Sequence, residues 1–222
     1  MVQLETTAEE DPLAPCVYIV DDDRELCASL EWLVGSVGLQ SRSFTSAADF
    51  LDAFDAERIA CLIVDVRMPD ISGFRLQEML NERRARIPVI FVSAHGDIKM
   101  SVRALQQGAV TFIEKPYEPQ HIIDVVQEAL ESARSMREEQ RQRDRIEEIL
   151  STLTSREREV LRLVIEGEPS KVIAHALGIS TRTVDVHRTR IREKSGAPSL
   201  AVLVRDVLQS GVDLELLEGR SG

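Results

Sequence analysis

The sequence predicts a doubly wound α/β domain on a five-stranded parallel sheet, followed by a helical linker and an all-α helix-turn-helix domain. Three observations carry that expectation. Between residues 16 and 134 five short apolar runs alternate with helix-length segments, the pattern of a parallel sheet covered on both faces. Charged groups close three of those runs: Asp21 and Asp22 after 17–20, Asp65 after 61–64, and Lys115 just beyond 110–113. From Leu153 onward the pattern is helical, and Gly178-Ile179-Ser180 joins two of its segments in the manner of a helix-turn-helix.

Strands are expected at 16–20, 39–44, 60–64, 88–92 and 110–113, and helices at 23–36, 46–55, 73–82, 97–106 and 119–134. The run Cys61-Leu62-Ile63-Val64 is short, wholly apolar and closed by Met68-Pro69-Asp70, so it reads as a buried parallel strand. Gly38, Gly73, Gly96 and Gly108 punctuate turns, and Pro88 opens a strand where a missing N–H is tolerated. Asp23 is expected to cap the helix that begins near Arg24. Residues 135–150 are rich in Arg, Glu and Gln, and the seam positions Met136, Gln140, Arg143 and Glu147 are polar but for the first. That stretch reads as a charged helix continuing the preceding one, not as a coiled coil. Thr154-x-x-Glu157 forms a capping box ahead of Val160 and Leu161. Further helices are expected at about 170–177, ending at Gly178, at 181–194 with Ser180 as N-cap, and at 199–209, ending at Gly211. The expected division is a flexible tail at 1–15, the α/β domain at 16–134, the linker at 135–150, the helix-turn-helix domain at 151–211 and a second tail at 212–222.

A chain of 222 residues holds two domains of roughly 100 residues each. The formal charge of −11 opposes nucleic-acid binding as an average, yet residues 171–205 carry seven cations against Asp185 and Glu193. A basic patch on an acidic chain is a local electrostatic footprint. Three cysteines, Cys16, Cys27 and Cys61, suit a reducing compartment as buried small apolar groups, and their spacing does not suggest zinc. No run approaches the roughly 18 apolar residues of a membrane span. The first residues are acidic (Glu5, Glu9, Glu10, Asp11), unlike a signal peptide, so a cytoplasmic protein with no membrane partner is expected.

A carboxylate at the C-terminal lip of a buried parallel strand points into the crevice where doubly wound sheets keep their sites. Three carboxylates and an ammonium at the tips of separate strands suit a divalent metal and a phosphoryl group. Mg2+ takes oxygen ligands and keeps several waters, so two or three carboxylates suffice. Asp65 then serves as a carboxylate nucleophile toward phosphorus. Lys115 pairs first with Asp65 and later with phosphoryl oxygens, and Ser93, after 89–92, donates its hydroxyl to one of them. His95 is expected as an exposed residue at the crevice rim.

The stretches Val20-Asp21-Asp22-Asp23, Val64-Asp65-Val66-Arg67-Met68-Pro69, Ser72-Gly73, Val92-Ser93-Ala94 and Glu114-Lys115-Pro116 closely resemble the receiver domain of bacterial two-component response regulators. The resemblance implies Asp65 as phosphoacceptor, Asp22 as principal magnesium ligand, Asp21 joining through water and the Arg67 carbonyl completing the protein ligands. It makes Ser93 and Phe112 the switch pair and Lys115 the partnering cation. Phe112 has no hydroxyl, so its switching must be a packing movement.

In the second half, Val184, His187 and Ile191 form the expected buried stripe of a recognition helix. Arg182, Asp185, Val186 and Thr189 point the other way, with Arg188, Arg190 and Arg192 on the flanks. Leu153-Thr154-Ser155-Arg156-Glu157-Arg158-Glu159-Val160-Leu161 with Thr183-Val184-x-x-His187-Arg188 resembles the LuxR-type helix-turn-helix domain. With such a receiver in front, the chain resembles response regulators of the NarL/FixJ class, and Gly96-Asp97 with Ile113-Glu114-Lys115-Pro116 leans toward FixJ. The family often carries an apolar residue where Ser195 stands. The resemblance makes Lys171, Arg182, Arg188 and Arg192 phosphate contacts and Asp185, Val186 and Thr189 base-facing residues. Asp185 suits cytosine N4 and Val186 a thymine methyl. Apolar residues on more than one face of the last helix (Leu200, Val202, Leu203, Val204, Val207, Leu208) imply a protein interface, in the resembled family that of the DNA-bound dimer.

The expected function is therefore a transcription regulator. A sensor histidine kinase would phosphorylate Asp65 with Mg2+, favouring a homodimer paired around Arg103, Gln107 and Glu114 and binding to double-stranded operator DNA. No enzyme activity is expected beyond phosphorylation and dephosphorylation of Asp65 itself. The rival readings are a regulator that works without phosphate and a Mg2+-dependent aspartyl phosphohydrolase. Arg67 stands where such a hydrolase of the haloacid dehalogenase type carries a second acid.

Overall fold

Parallel pairing of five short strands organises the first part of the chain. They are β1 (Cys16–Val20), β2 (Gln40–Phe44), β3 (Ala60–Val64), β4 (Val89–Ser93) and β5 (Thr111–Glu114). A computed structural model describes residues 14–94 and 98–212. The strand order is β2-β1-β3-β4-β5, with every neighbour parallel. The chain winds outward in one direction from β1 and in the other from β3, so the pair β1/β3 is the topological switch point. Val20 stands opposite Val64 at the end of that pair, and the Asp65 amide donates to the Val20 carbonyl at 2.9 Å. Register alone thus brings Asp21 and Asp65 to one lip.

Helices α1 (Arg24–Gly35), α2 (Ala47–Ala53), α3 (Gly73–Glu82), α4 (Ile98–Gln106) and α5 (Pro119–Thr152) connect or follow the strands. Leu30, Val34, Ile122 and Val126 of α1 and α5 cover Val17, Ile19, Ile63, Ile90 and Val92 on one face. Phe50, Phe74, Leu76, Leu80 and Ala104 of α2, α3 and α4 cover Tyr18, Val20, Leu62, Val64 and Phe91 on the other. Strands β1, β3 and β4 are buried at every position, which is why they read as unbroken apolar runs. Edge strand β2 is only half-buried and mixes Ser, Arg and Gln with one Phe. All three cysteines are buried, and burial pushes the Cys27 thiol up to about 11. Asp23 is the N-cap of α1, accepting from the amides of Glu25 and Leu26 at 2.9 and 3.2 Å. Strand and helix ends fall within a residue or two of expectation up to α4, and Gly96 and Asp97 lie outside the described residues.

Two compact units divide between Arg137 and Glu138, inside the 34-residue helix α5. The second unit adds α6 (Ser155–Ile165), α7 (Ser170–Leu177), α8 (Thr181–Ser195) and α9 (Leu200–Ser210). Both bonds of the capping box form: the Glu157 amide donates to Thr154 Oγ1 at 3.3 Å and the Thr154 amide to Glu157 Oε2 at 2.9 Å. Gly178 closes α7 with φ 64°, a left-handed conformation that a side chain disfavours. Val160, Leu161, Ile173, Val184, Ile191, Leu203 and Val207 share one core with Ile146 and Leu150 of α5. The last part of the stretch read as linker is therefore core: Ile146 and Leu150, four residues apart on one helical face, are buried, whereas Met136, Gln140, Arg143 and Glu147 are not. Among the described residues no helix is long and apolar enough to cross a membrane.

Candidate functional site

Lys115, just past β5, is anchored by its own amide, which donates to the Ser93 carbonyl at 2.9 Å. Its ammonium reaches across the strand ends to Asp21 Oδ2 at 2.9 Å and Asp65 Oδ1 at 3.0 Å. The other oxygen of each carboxylate takes a backbone amide two residues on, Asp23 N–H to Asp21 Oδ1 at 2.9 Å and Arg67 N–H to Asp65 Oδ2 at 2.5 Å. Asp21 is 4% and Asp65 8% exposed. Two buried carboxylates thus share one cation, leaving a local excess of negative charge. Burial pushes the Asp21 carboxyl above its ordinary range, although the Asp23 amide and Lys115 oppose the shift. Burial works against the charged form of Lys115 too, but hydrogen bonds to Asp21 and Asp65 prevail and raise its pKa. An ammonium held so firmly is a fixed charge at neutral pH.

Gly73, the first residue of α3, packs against this lip. A Cβ there would lie 2.3 Å from the Asp65 carbonyl oxygen and 3.0 Å from Phe91, so only glycine lets α3 approach the strand end. Ser93 is buried at the end of β4, opposite Glu114 of β5. Phe112 is half-buried and stacked on Phe91, with ring centroids 6.3 Å apart. Phe91 in turn meets Phe74 at 4.9 Å. His95 lies outside the described residues. Asp22 and Arg67 are exposed beside the crevice. Among the described residues no three acid, histidine or cysteine side chains are gathered closely enough to cage a metal. Magnesium needs no such cage, since one or two carboxylates and several waters satisfy it. The donor set is all oxygen and carries uncompensated negative charge, so the residues fit a hard divalent cation.

Arg103 and Gln107, expected at a receiver pairing surface, donate to Glu78 Oε1 of α3 at 3.2 and 3.0 Å. Their side chains fasten α4 to α3. Ile98, Val102 and Leu105 are exposed on α4 at helical spacing, beside the exposed Lys99, Arg103 and Gln106.

In the second unit Val184 and Ile191 are fully buried and His187 is half-buried. Ser195 extends the stripe: it is buried, and its hydroxyl donates to the Arg192 carbonyl at 3.0 Å and accepts from the Ala197 amide at 3.3 Å. The departure at Ser195 is therefore a polar helix end, closed by Gly196 with φ 63°. Outward, α8 carries two shallow depressions. One is lined by Arg182, Asp185, Val186, Thr189, Arg190 and Glu193, the other by Arg188, Thr189, Arg192, Pro198, Ser199 and Leu200. Lys171, on α7, is exposed. The Thr189 hydroxyl donates to the Asp185 carbonyl at 3.0 Å, so its methyl group and lone pairs remain for a ligand.

One of the seven cations is tied to a buried carboxylate of this unit instead. Lys194 Nζ donates to Glu157 Oε2 at 2.6 Å and to the Thr152 carbonyl at 3.0 Å, tying the end of α8 to the start of α6. Burial opposes ionisation of Glu157, but Lys194 and Thr154 hold its carboxyl below the usual range. Sequence reasoning also passed over Ser170, whose hydroxyl sits between Asp185 and Arg188.

Residues 17–127 match the response regulator receiver domain family, and residues 151–207 match the family of bacterial regulatory proteins described as luxR. The transcriptional regulatory protein TdiR of Thauera aromatica is 42% identical over 196 residues, spanning 88% of this chain and 86% of that protein. The transcriptional regulatory protein FixJ of Azorhizobium caulinodans is 40% identical over 88% of this chain and 93% of its own length. Among solved structures, that of the response regulator StyR superposes with a TM-score of 0.78 at 41% identity, covering 88% of this chain and 99% of StyR. Full-length FixJ from B. japonicum superposes with a TM-score of 0.53 at 32% identity, covering 89% and 98%. The chain belongs to this family: it is a response regulator that joins a receiver domain to a LuxR-type DNA-binding domain.

Proposed function

We propose that Asp65 accepts a phosphoryl group from a sensor histidine kinase and that this event governs binding of α8 to double-stranded operator DNA. The observation that carries the reading is the Lys115 ammonium shared by Asp21 and Asp65 at the switch point of the sheet. An Asp65 oxygen attacks phosphorus, the bond from phosphorus to the donor nitrogen breaks, and an acyl phosphate forms. Lys115 then leaves the Asp65 carboxylate for the phosphoryl oxygens, and the Ser93 hydroxyl donates to another of them. Phe112 follows by repacking against Phe91. Magnesium, held by Asp21, Asp22, Asp65 and the Arg67 carbonyl, would offset the repulsion between the carboxylates and the incoming phosphoryl group.

A packed core converts such a small local change into two discrete arrangements. The arrangement reached on phosphorylation favours a homodimer, and two copies of α8 then address adjacent half-sites. Arg188, Arg192, Lys171 and Arg182 contact phosphates, while Asp185, Val186 and Thr189 face the bases. Residues 135–150 act as the connection between the two functions. The deciding experiment exposes the parent and Asp65→Asn to acetyl phosphate and measures phosphoprotein by intact mass. The variant should incorporate less than about a hundredth of the parental amount; incorporation at the parental rate would falsify the assignment of Asp65.

A further inference from the structure

Asp185 and Arg188 stand three residues apart on α8, a spacing at which opposite charges on a helix are neighbours and pair directly. Here the hydroxyl of Ser170, the first residue of α7, lies between them. Arg188 Nη1 donates to Ser170 Oγ at 3.1 Å, and Ser170 Oγ donates to Asp185 Oδ1 at 3.1 Å. The proton order is unambiguous. A guanidinium only donates, so the serine oxygen must accept from Arg188, and its single proton goes to the carboxylate. Ser170 serves no helix cap: Pro169 holds that position without a side-chain bond. Its hydroxyl is committed to α8.

The consequence is a division of labour between two opposite charges. Asp185 borders the depression shared with Arg182, Val186 and Thr189, and Arg188 borders the one shared with Thr189 and Arg192. Asp185 Oδ2 takes no hydrogen bond among the described residues, which leaves it able to accept from an amino group on a base edge. Arg188 keeps its remaining N–H groups for a phosphate.

We propose that Ser170 is a positioning residue that sets sequence specificity: its hydroxyl keeps the Asp185 carboxylate and the Arg188 guanidinium from neutralising each other, so that the first is offered to a base and the second to the backbone. The proposal rests on the reading of α8 as the recognition helix. Remove the hydroxyl, and the two side chains close on each other. The carboxylate is then withdrawn from the base edge, and discrimination falls at the base pair it reads.

The test uses the full chain. The parent is selected against a random-sequence duplex pool, and the enriched duplex is then compared with its set of single base-pair changes for the parent, Ser170→Ala, Ser170→Thr and Asp185→Ala. Ser170→Ala should bind unselected duplex within about twofold of the parent, yet lose about tenfold of discrimination at one base pair. Asp185→Ala should lose discrimination at that same pair, and Ser170→Thr, which keeps the hydroxyl, should restore it. A Ser170→Ala protein with the parental preference at every position overturns the proposal, as does a uniform loss of affinity with a lowered Tm, the mark of a merely structural serine. A parent that enriches no sequence overturns the reading of α8 itself, and the proposal with it.

Discussion

The crevice of the receiver and the outer face of α8 handle charge in opposite ways. In the crevice, buried carboxylates already have their cation, and Lys115 answers both of them from inside the domain. On α8, Arg182, Arg190, Arg192, Asp185 and Glu193 stand exposed, and a single hydroxyl holds Asp185 apart from the half-buried Arg188. A ligand entering the crevice must take over an existing ion pair, whereas a ligand meeting α8 finds charges still owed a partner. The first arrangement suits a switch, since exchange of partners changes the protein. The second suits a reader, since the surface is ready before the ligand arrives.

Removing the shared cation breaks this contrast most severely. Lys115→Met leaves two buried carboxylates facing each other with one amide apiece, and an unpaired buried charge costs about 3 kcal/mol. The variant should unfold at markedly lower urea than the parent. Added Mg2+ should recover more of that loss in the variant than it adds to the parent, because a ligand of the folded state stabilises by mass action. Equal response of both proteins to Mg2+ would show that the crevice has no affinity for the ion.

Lys194 shows that not every cation near α8 belongs to the reader. Lys194→Met leaves Glu157, which is 2% exposed, with only the Thr154 amide, and the loss of a charged partner to such an acceptor costs about 2 kcal/mol. The sign with pH follows from the lowered Glu157 carboxyl. Its contribution is present above the ordinary glutamate range and fades as pH falls through the depressed folded value. Urea titrations should therefore separate parent and variant fully at pH 7 and bring them together in strong acid.

Arg188 and Arg192 are the contrasting case. Their replacement by Ala together should lower Tm by no more than a few degrees, since Arg192 is exposed and the half-buried Arg188 gives up one hydrogen bond, to Ser170. Affinity should fall about tenfold or more on every duplex, and the slope of log K against log salt should shrink by about 2. An unchanged slope would mean that neither residue touches phosphate.

The same contrast decides how much could be read from the sequence. Asp21, Asp65 and Lys115 were legible because each follows an apolar run long enough to be a strand, and period and chain order then bring strand ends together. That one ammonium serves both carboxylates was not legible, since those contacts span 94 and 50 residues and depend on the register of β1 against β3. The exposure of Asp22, one residue past Asp21, likewise needs the path of the chain out of the strand. In the second unit the caps at Thr154, Ser180 and Gly178 were legible as local chemistry. The burial of Ile146 and Leu150 was hidden by the charge around them. Lys194 looked like one basic residue among several because its partner lies 37 positions away. Ser170 carries no charge and no periodicity, so nothing short of the packing of α7 on α8 marks it.

The smallest effect, and the sharpest on the nature of the crevice, comes from Asp21. Its carboxyl is raised by burial, so the folded chain holds that proton more tightly than the unfolded chain does. Asp21 therefore lends stability below the ordinary aspartate range and loses it as pH rises through the raised value, opposite in sign to Glu157. Asp21→Asn, which mimics the protonated group, should raise Tm by a few degrees at pH 7, and the gain should vanish in acid where Asp21 is already neutral. The same variant should lose part of the Mg2+-dependent rise in Tm, because the strain it relieves is the negative charge a cation would meet. A variant more stable than the parent yet less responsive to Mg2+ is what a crevice held ready for a ligand requires. If Asp21→Asn is less stable than the parent at pH 7, the buried carboxylates are a structural ion pair with Lys115, and the contrast with α8 fails.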